Sequence, residues 1–255
     1  MRILILLGLS AWRSCLDQWT WRSFLLTLII NQAVAPIIGF AVWRAVTPGD
    51  PEIANYFLAL LIIQLATVSY EDHTVASAIF SGDLAGDLLQ PQPILIPFLG
   101  TNLALRFWHL VIGVPLVIVL GLLTGTAPRP ATLLAALPAL LLAGMLRFLF
   151  TTTVALTAFW TDQARNVVGF ANTIIALAGG IAAPVFLLPS GLADVARLLP
   201  FWAMLGLPAE IAAGVLPRSE LIAGHLVLLG WLLVAGVLAR LTWRSGLRRF
   251  SAVGA

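Results

Sequence analysis

The sequence predicts an all-α, polytopic membrane protein with six transmembrane helices, and three observations carry that reading. Of the 255 residues, 60% are hydrophobic and 10% are charged, with a mean hydropathy of +1.01, whereas soluble domains carry about 25% charged residues. The apolar residues gather into runs of roughly 20, the length that crosses a bilayer core at about 1.5 Å per residue. Charges and turn-forming residues fall between those runs. All fourteen bases are arginine, so there is no G-x-x-x-x-G-K-[ST] phosphate loop. The arginines lie mostly singly at the ends of apolar runs, which reads as membrane anchoring and not as a nucleic-acid interface. One cysteine, Cys15, excludes an internal disulfide, and histidines only at 73, 109 and 225 leave no recognisable metal cluster.

Residues 1–22 begin with a base and a short apolar run, then mix Trp12, Arg13, Asp17, Trp19, Trp21 and Arg22. That mixture suits an uncleaved helix lying in the headgroup layer. The alternative is a signal peptide cleaved after Ala11. Ser23 to Arg44 is the first span, with Asn31 and Gln32 inside it and Pro36 expected to kink it. After the turn Thr47 to Ile53, Asn55 to Tyr70 forms the second span. Phe98 to Thr124 contains the third, and Gly125 to Pro130 is a turn. Ala131 to Trp160 is long for the fourth, which therefore tilts or extends beyond the lipid. Arg147 lies well inside it; a charge there costs roughly 3 kcal/mol if it meets lipid, so it should pair, snorkel or line a wet cavity. Val167 to Leu188 is the fifth span, softened by Gly179 and Gly180. Residues 189–217 are apolar but broken by Pro200 and Pro208, and read as short re-entrant helices on the outer side, buried against protein or water. Glu220 to Leu241 is the sixth span, and Thr242 to Ala255 a basic tail.

The longest polar interruption is 71–97. It carries Glu71, Asp72, Asp83 and Asp87, with no arginine. Ser81, Gly82 and Asp83 divide it into two pieces, each with an apolar side at helical spacing: Val75, Ile79 and Phe80, then Leu84, Leu88 and Leu89. Such stripes suit docking into a groove on a partner, while the plainer alternative is a solvated loop between two spans. Counting arginines at the span ends places both termini, and with them 71–97, in the cytoplasm: nine arginines fall inside, four outside and one within a span.

Ile79, Phe80, Gly82, Asp83, Leu84 and Asp87 are the candidate contact with a cytoplasmic partner, the apolar residues as anchors, the acids as rim partners and Gly82 as the bend. Glu71, Asp72 and His73 form either a charge cluster with Arg165 or Arg106 or a solvated helix end. Arg147, Asn31, Phe201 and Trp202 are candidates for a translocation path or gate; the alternatives are pairing for Arg147, polar contact between helices for Asn31, and anchoring among headgroups for Phe201 and Trp202. No serine sits in a G-x-S-x-G setting and no carboxylate pair lies deep in a span, so no catalytic residue is assigned.

The order of these elements resembles the permease subunit of ABC type-2 exporters. S-G-D-L-A-G-D-L-L-Q-P at Ser81 to Pro91 is similar to that family's G-x-L-x-x-x-L-x-x-P stretch after the second span, and F-W-T-D-Q-A-R-N at Phe159 to Asn166 to its turn before the fifth. A-P-V-F-L-L-P, L-L-P-F and G-L-P-A-E-I-A-A-G resemble its outer segment, and W-R-S-G-L-R-R-F its tail. The resemblance spans nearly the whole chain, closest to small permeases that often occur as two related subunits with one ATPase. Gln90, Pro91 and Gln92 depart from it, where many relatives have an Arg beside the proline.

The resemblance implies a single permease domain in a bacterial inner membrane, with a cytoplasmic coupling helix at 71–97. It further implies a second permease, paired through spans one and five, and a cytoplasmic ATPase dimer. ATP and Mg would be bound by the ATPase, with no cofactor in this chain. The implied cargo is hydrophobic or amphipathic and moves outward. The rivals are an ion-coupled secondary transporter, which needs internal repeats and midplane acids, and a membrane assembly scaffold.

Overall fold

The computed structural model describes residues 2–126 and 129–250. The last five residues of the expected basic tail, and two within the turn Gly125 to Pro130, lie outside the described residues. Among those described, every regular element is helical and none is a strand.

Helix α1 (Arg2–Thr20) lies along α6 (Leu95–Thr124). The Ser14 and Thr101 hydroxyls are 3.1 Å apart, Gln18 donates to the Thr101 carbonyl, and Trp108 donates to the Cys15 carbonyl. Trp19 stacks on Trp108 at 4.7 Å. Helix α2 (Arg22–Val46) buries a single stripe, Leu25, Ile29, Ala33, Pro36 and Phe40, at the spacing of one face of a 3.6-residue helix. Its other faces leave Ile30 and Ile38 exposed.

Helix α3 (Pro51–Ala66) differs from the expected second span Asn55 to Tyr70. It starts earlier because Asp50 accepts from the Glu52 N–H at 2.9 Å and Pro51 occupies the first turn. It ends at Ala66 and has only 16 residues, about 24 Å at 1.5 Å per residue. Eleven of the 16 are buried, so α3 is an interior post against which α2, α6 and the short helix Leu207–Ala213 pack.

Among the described residues, five helices are long and apolar enough to cross a membrane: α2, α6, α7 with its 3-10 extension (Pro130–Phe159), α8 with its π turn (Ala164–Ile181), and α11 (Arg218–Leu247). Leu122, Leu141, Ile222 and Leu233 stand exposed on them, a distribution that suits lipid and not water. The fourth span ends in tighter turns at Leu156–Phe159, and the fifth in wider ones at Leu177–Ile181, short of the expected Leu188 because the helix breaks at Gly180. Between α8 and α11 the short helix α9 (Ser190–Leu198) and the pair formed by a π turn (Trp202–Gly206) with α10 (Leu207–Ala213) are bent by 85°. Taken together, this bent pair is a sixth apolar stretch, among the described residues, long enough to cross, as one broken span or a re-entrant loop.

Gly180 marks the break in α8, at φ +106°. Its carbonyl accepts from the Tyr56 hydroxyl at 3.2 Å, which ties the break to α3. The bent pair is closed by Trp202, whose indole donates to Glu210 Oε1 at 3.0 Å with both side chains buried. Arg197 of α9 pairs with Glu220 of α11 at 2.7 Å.

Candidate functional site

The early end of α3 creates a chemical demand. Its last carbonyls have no following helical N–H groups to accept from, and they lie inside the bundle where water is scarce. Arg106 of α6 donates just past that end: Nε to the Val68 carbonyl at 3.0 Å, and Nη2 to the carbonyl of Thr67 at 3.4 Å and, inside α7, to that of Gly144 at 2.7 Å. A cation at a helix C-terminus is also favoured by the helix dipole. Arg147 of α7 (Pro130–Ala155) is buried beside it and donates to Gln64 Oε1 at 2.9 Å and to the Thr67 hydroxyl at 3.1 Å. Gln64 donates to Gln32 at 2.6 Å and Gln32 to the Tyr70 hydroxyl at 3.3 Å. Arg147 therefore neither snorkels nor meets an acid directly; it joins α7 to α3, and through Gln64 to α2.

Glu71 follows within the same polar core. It is buried, with Oε1 accepting from Asn102 at 2.9 Å and from Ser69 at 3.4 Å, and Oε2 from the Thr151 hydroxyl at 2.6 Å. This corrects the alternative of a solvated helix end for Glu71. Arg165 forms no ion pair among the described residues and donates instead to the Ser77 hydroxyl at 3.1 Å; His73 pairs with Asp72 at 3.0 Å. Burial lifts the Glu71 carboxyl to about 7, against the opposing pull of the Thr151 hydrogen bond and the Arg106 charge.

A carboxyl raised in the folded state favours folding most when protonated. Its contribution is therefore full below the ordinary carboxylate value and is lost as pH rises through about 7. The groups facing it are Ser69, Asn102 and Arg106 on one side and Thr151 and Arg147 on the other. The expected result is a thermal midpoint that falls between pH 5 and pH 8 in the parent and falls less in Glu71→Gln, measured on the purified protein; equal slopes would contradict it.

From this root the chain enters α4 (Val75–Ser81) and α5 (Leu84–Leu88). Gly82, at φ +81°, ends α4 in the left-handed conformation that glycine adopts without steric cost. Ser81 donates to Asp83 at 2.6 Å across the bend. Two of the expected partner anchors are turned inward: Ile79 and Leu84 are buried with Val75 and Ala76 in a cluster containing Phe98, Phe148, Leu156 and Val168. Phe80, Gly82 and Asp87 are half-buried and Asp83 is exposed. Leu88 and Leu89 extend the open face, Leu89 at 87% exposure.

The four path candidates occupy separate surroundings. Arg147 is in the polar core, Asn31 is exposed on α2, and Trp202 is buried against Glu210. Phe201 is half-buried and packs edge-on against Phe150 at 6.0 Å. Burial of Trp202 removes the reading of it as a headgroup anchor. Sequence reasoning missed Glu210, Asn102 and Thr151. An acid flanked only by apolar residues, as in L-P-A-E-I-A-A, was the available signal for Glu210; Asn102 and Thr151 gave none beyond polarity within a span.

The fold and this polar core define a multi-pass membrane protein in which one short interior helix, two buried arginines and a projecting helical elbow are joined. The sequence matches the ABC-2 family transporter protein over residues 18–254, and the chain belongs to that family. It is the membrane part of an ABC transporter, a permease whose family is generally non-catalytic and typically works with an ABC ATPase. Comparison with curated proteins gives no match.

Proposed function

We propose that this chain is the membrane subunit of an ATP-driven exporter of a hydrophobic or amphipathic substrate, powered by a separate cytoplasmic ATPase dimer that docks on α4 and α5. ATP and Mg are held by that partner. The chain sits in a bacterial inner membrane with both termini cytoplasmic, and pairs with a second permease through α2 and α8.

The observation that carries the reading is the two-sided character of the elbow. Its outer side offers Phe80, Asp83, Asp87, Leu88 and Leu89, while its inner side packs on α7 and on the turn Leu156–Phe159. A push on the outer side is therefore delivered to α7, which Thr151 links to Glu71 and Arg147 links to α3. In turn α3 holds the break at Gly180 through Tyr56. This is a contiguous set of packed and hydrogen-bonded parts from the elbow to the bent pair.

The test is retention of the ATPase. Affinity purification from native membranes is expected to bring a P-loop ATPase with the chain. The double substitution Leu88→Asp, Leu89→Asp, on exposed positions, is expected to cut the retained ATPase about tenfold, the loss that 1.4 kcal/mol of interface energy produces. Absence of any ATPase, or full retention by the variant, would overturn the reading. Export that survives ATP depletion but stops with an ionophore would favour an ion-coupled carrier, for which buried Glu71 and Glu210 would be the acids.

A further inference from the structure

A cleft of about 300 Å³ lies between the start of α4, the start of α6, the end of α7 with its 3-10 extension, and the last third of α11. Its size is at the lower edge of the range of small-molecule sites. Val75, Phe98, Leu149 and Leu156 wall it. Leu95 on the same wall is exposed, so the cleft opens sideways toward lipid.

The room is left by α11, which contributes Gly236 and Ala239. Gly236 is half-buried, yet a Cβ added there would meet no atom within 4 Å. Arg240 is the one charged side chain lining the cleft, and the remaining polar residue, Thr152, is buried. The interior therefore suits a hydrocarbon chain alone, and a polar head stays outside, at the mouth, where Arg240 is exposed.

The surface beyond that mouth is basic. Gly236, Arg240 and Arg244 follow one another at four-residue spacing on one face of α11, so the stripe that begins in the cleft leaves it as two arginines. Trp243 lies between them in sequence and lines the cleft, as an indole at headgroup depth does. Residues 240–249 hold four arginines and no acid. The ion pairs of the described residues are elsewhere, His73 with Asp72 and Arg197 with Glu220. An apolar cleft ending on unneutralised arginines is complementary to a fatty tail with a negative head.

We propose that this cleft seats one acyl chain of an anionic phospholipid, with the phosphate outside it on Arg240 and Arg244. A guanidinium grips a phosphate through two parallel N–H bonds. A molecule entering sideways comes from the bilayer, whose negative charge is carried by its anionic lipids. Phosphatidylcholine brings the same phosphate with a quaternary ammonium, for which residues 240–249 offer no acid. The site does not depend on which partner powers transport.

The experiment is native mass spectrometry of the full chain, purified in detergent and stripped of lipid, titrated with dioleoyl phosphatidylglycerol, dioleoyl phosphatidylcholine or oleate. One tight phosphatidylglycerol adduct is expected before a weaker series, about tenfold tighter than the first phosphatidylcholine adduct. Arg240→Gln, at an exposed position, is expected to weaken the tight adduct about fivefold, the contribution of one arginine near an anionic lipid surface, and to leave phosphatidylcholine unchanged. Gly236→Leu puts a side chain into open space and should remove the tight adduct while keeping the weak series; if that variant does not fold, Arg240→Gln decides. A uniformly weak series in the parent, equal affinity for the two phospholipids, or parental phosphatidylglycerol affinity in either folded variant would each overturn the assignment. Displacement of phosphatidylglycerol by an equal concentration of oleate would also overturn it, by showing a site for any fatty anion. The titration uses the chain without an ATPase, so failure of the exporter reading and failure of this one are distinguishable.

Discussion

Arg106→Ala is expected to destabilise the protein by about 3 kcal/mol or more, in the range seen when one partner of a buried charged network is removed. The carbonyls of Thr67 and Val68 lose this donor at once, and that of Gly144, inside α7, loses its second, and buried Glu71 loses its nearby compensating charge. Arg106→Lys keeps the charge but cannot span three acceptors with a planar fork, so it should fall between the parent and the alanine variant. The check is the thermal midpoint of each purified protein in one detergent. Parental stability in Arg106→Ala would show that the end of α3 is satisfied in some other way.

Gly180→Ala is the second large effect. The backbone at φ +106° is one that a residue with a side chain adopts only under strain, typically about 1 to 3 kcal/mol. A methyl group there would also run into the Tyr56 hydroxyl, so the cost exceeds the backbone strain alone. Tyr56→Phe in the same chain removes the colliding oxygen and leaves the strain. The double variant should therefore recover part of the lost stability, and less than all of it. Full recovery would place the whole effect in the collision; no recovery would place it in the backbone.

How much of this was legible in advance follows from the distances along the chain that each contact spans. The lipid-facing runs, the bend at Gly82 and the broken segment near Pro200 are written in local composition and turn chemistry, and those features were read correctly in kind. The end of α3 was not. Ala66 is followed by neither glycine nor proline; the carbonyls just past the end are held by Arg106, forty residues further on. Glu71 was likewise undetermined between solvent and core, because Asn102 and Thr151, which decide it, lie 31 and 80 residues away.

Periodicity named the right stripe on α4 and α5 but could not say what covers it. Ile79 and Leu84 are satisfied by Phe98, Phe148 and Leu156 of the same chain, so the surface left for a partner shifts toward Leu88 and Leu89. Trp202 shows the converse. An indole in a punctuated apolar stretch suits the headgroup layer equally well, and only the π turn that brings Glu210 to its nitrogen distinguishes burial from anchoring.

The central claim, that the elbow after α3 projects into the cytoplasm and receives the ATPase, is tested most directly by thiol labelling. Cys15 is the single cysteine, so Cys15→Ser with Leu89→Cys leaves one reactive position, at a site that is 87% exposed. A membrane-impermeant maleimide should label it in inverted vesicles and not in intact cells, and bound ATPase should protect it. Labelling from outside intact cells would contradict the account.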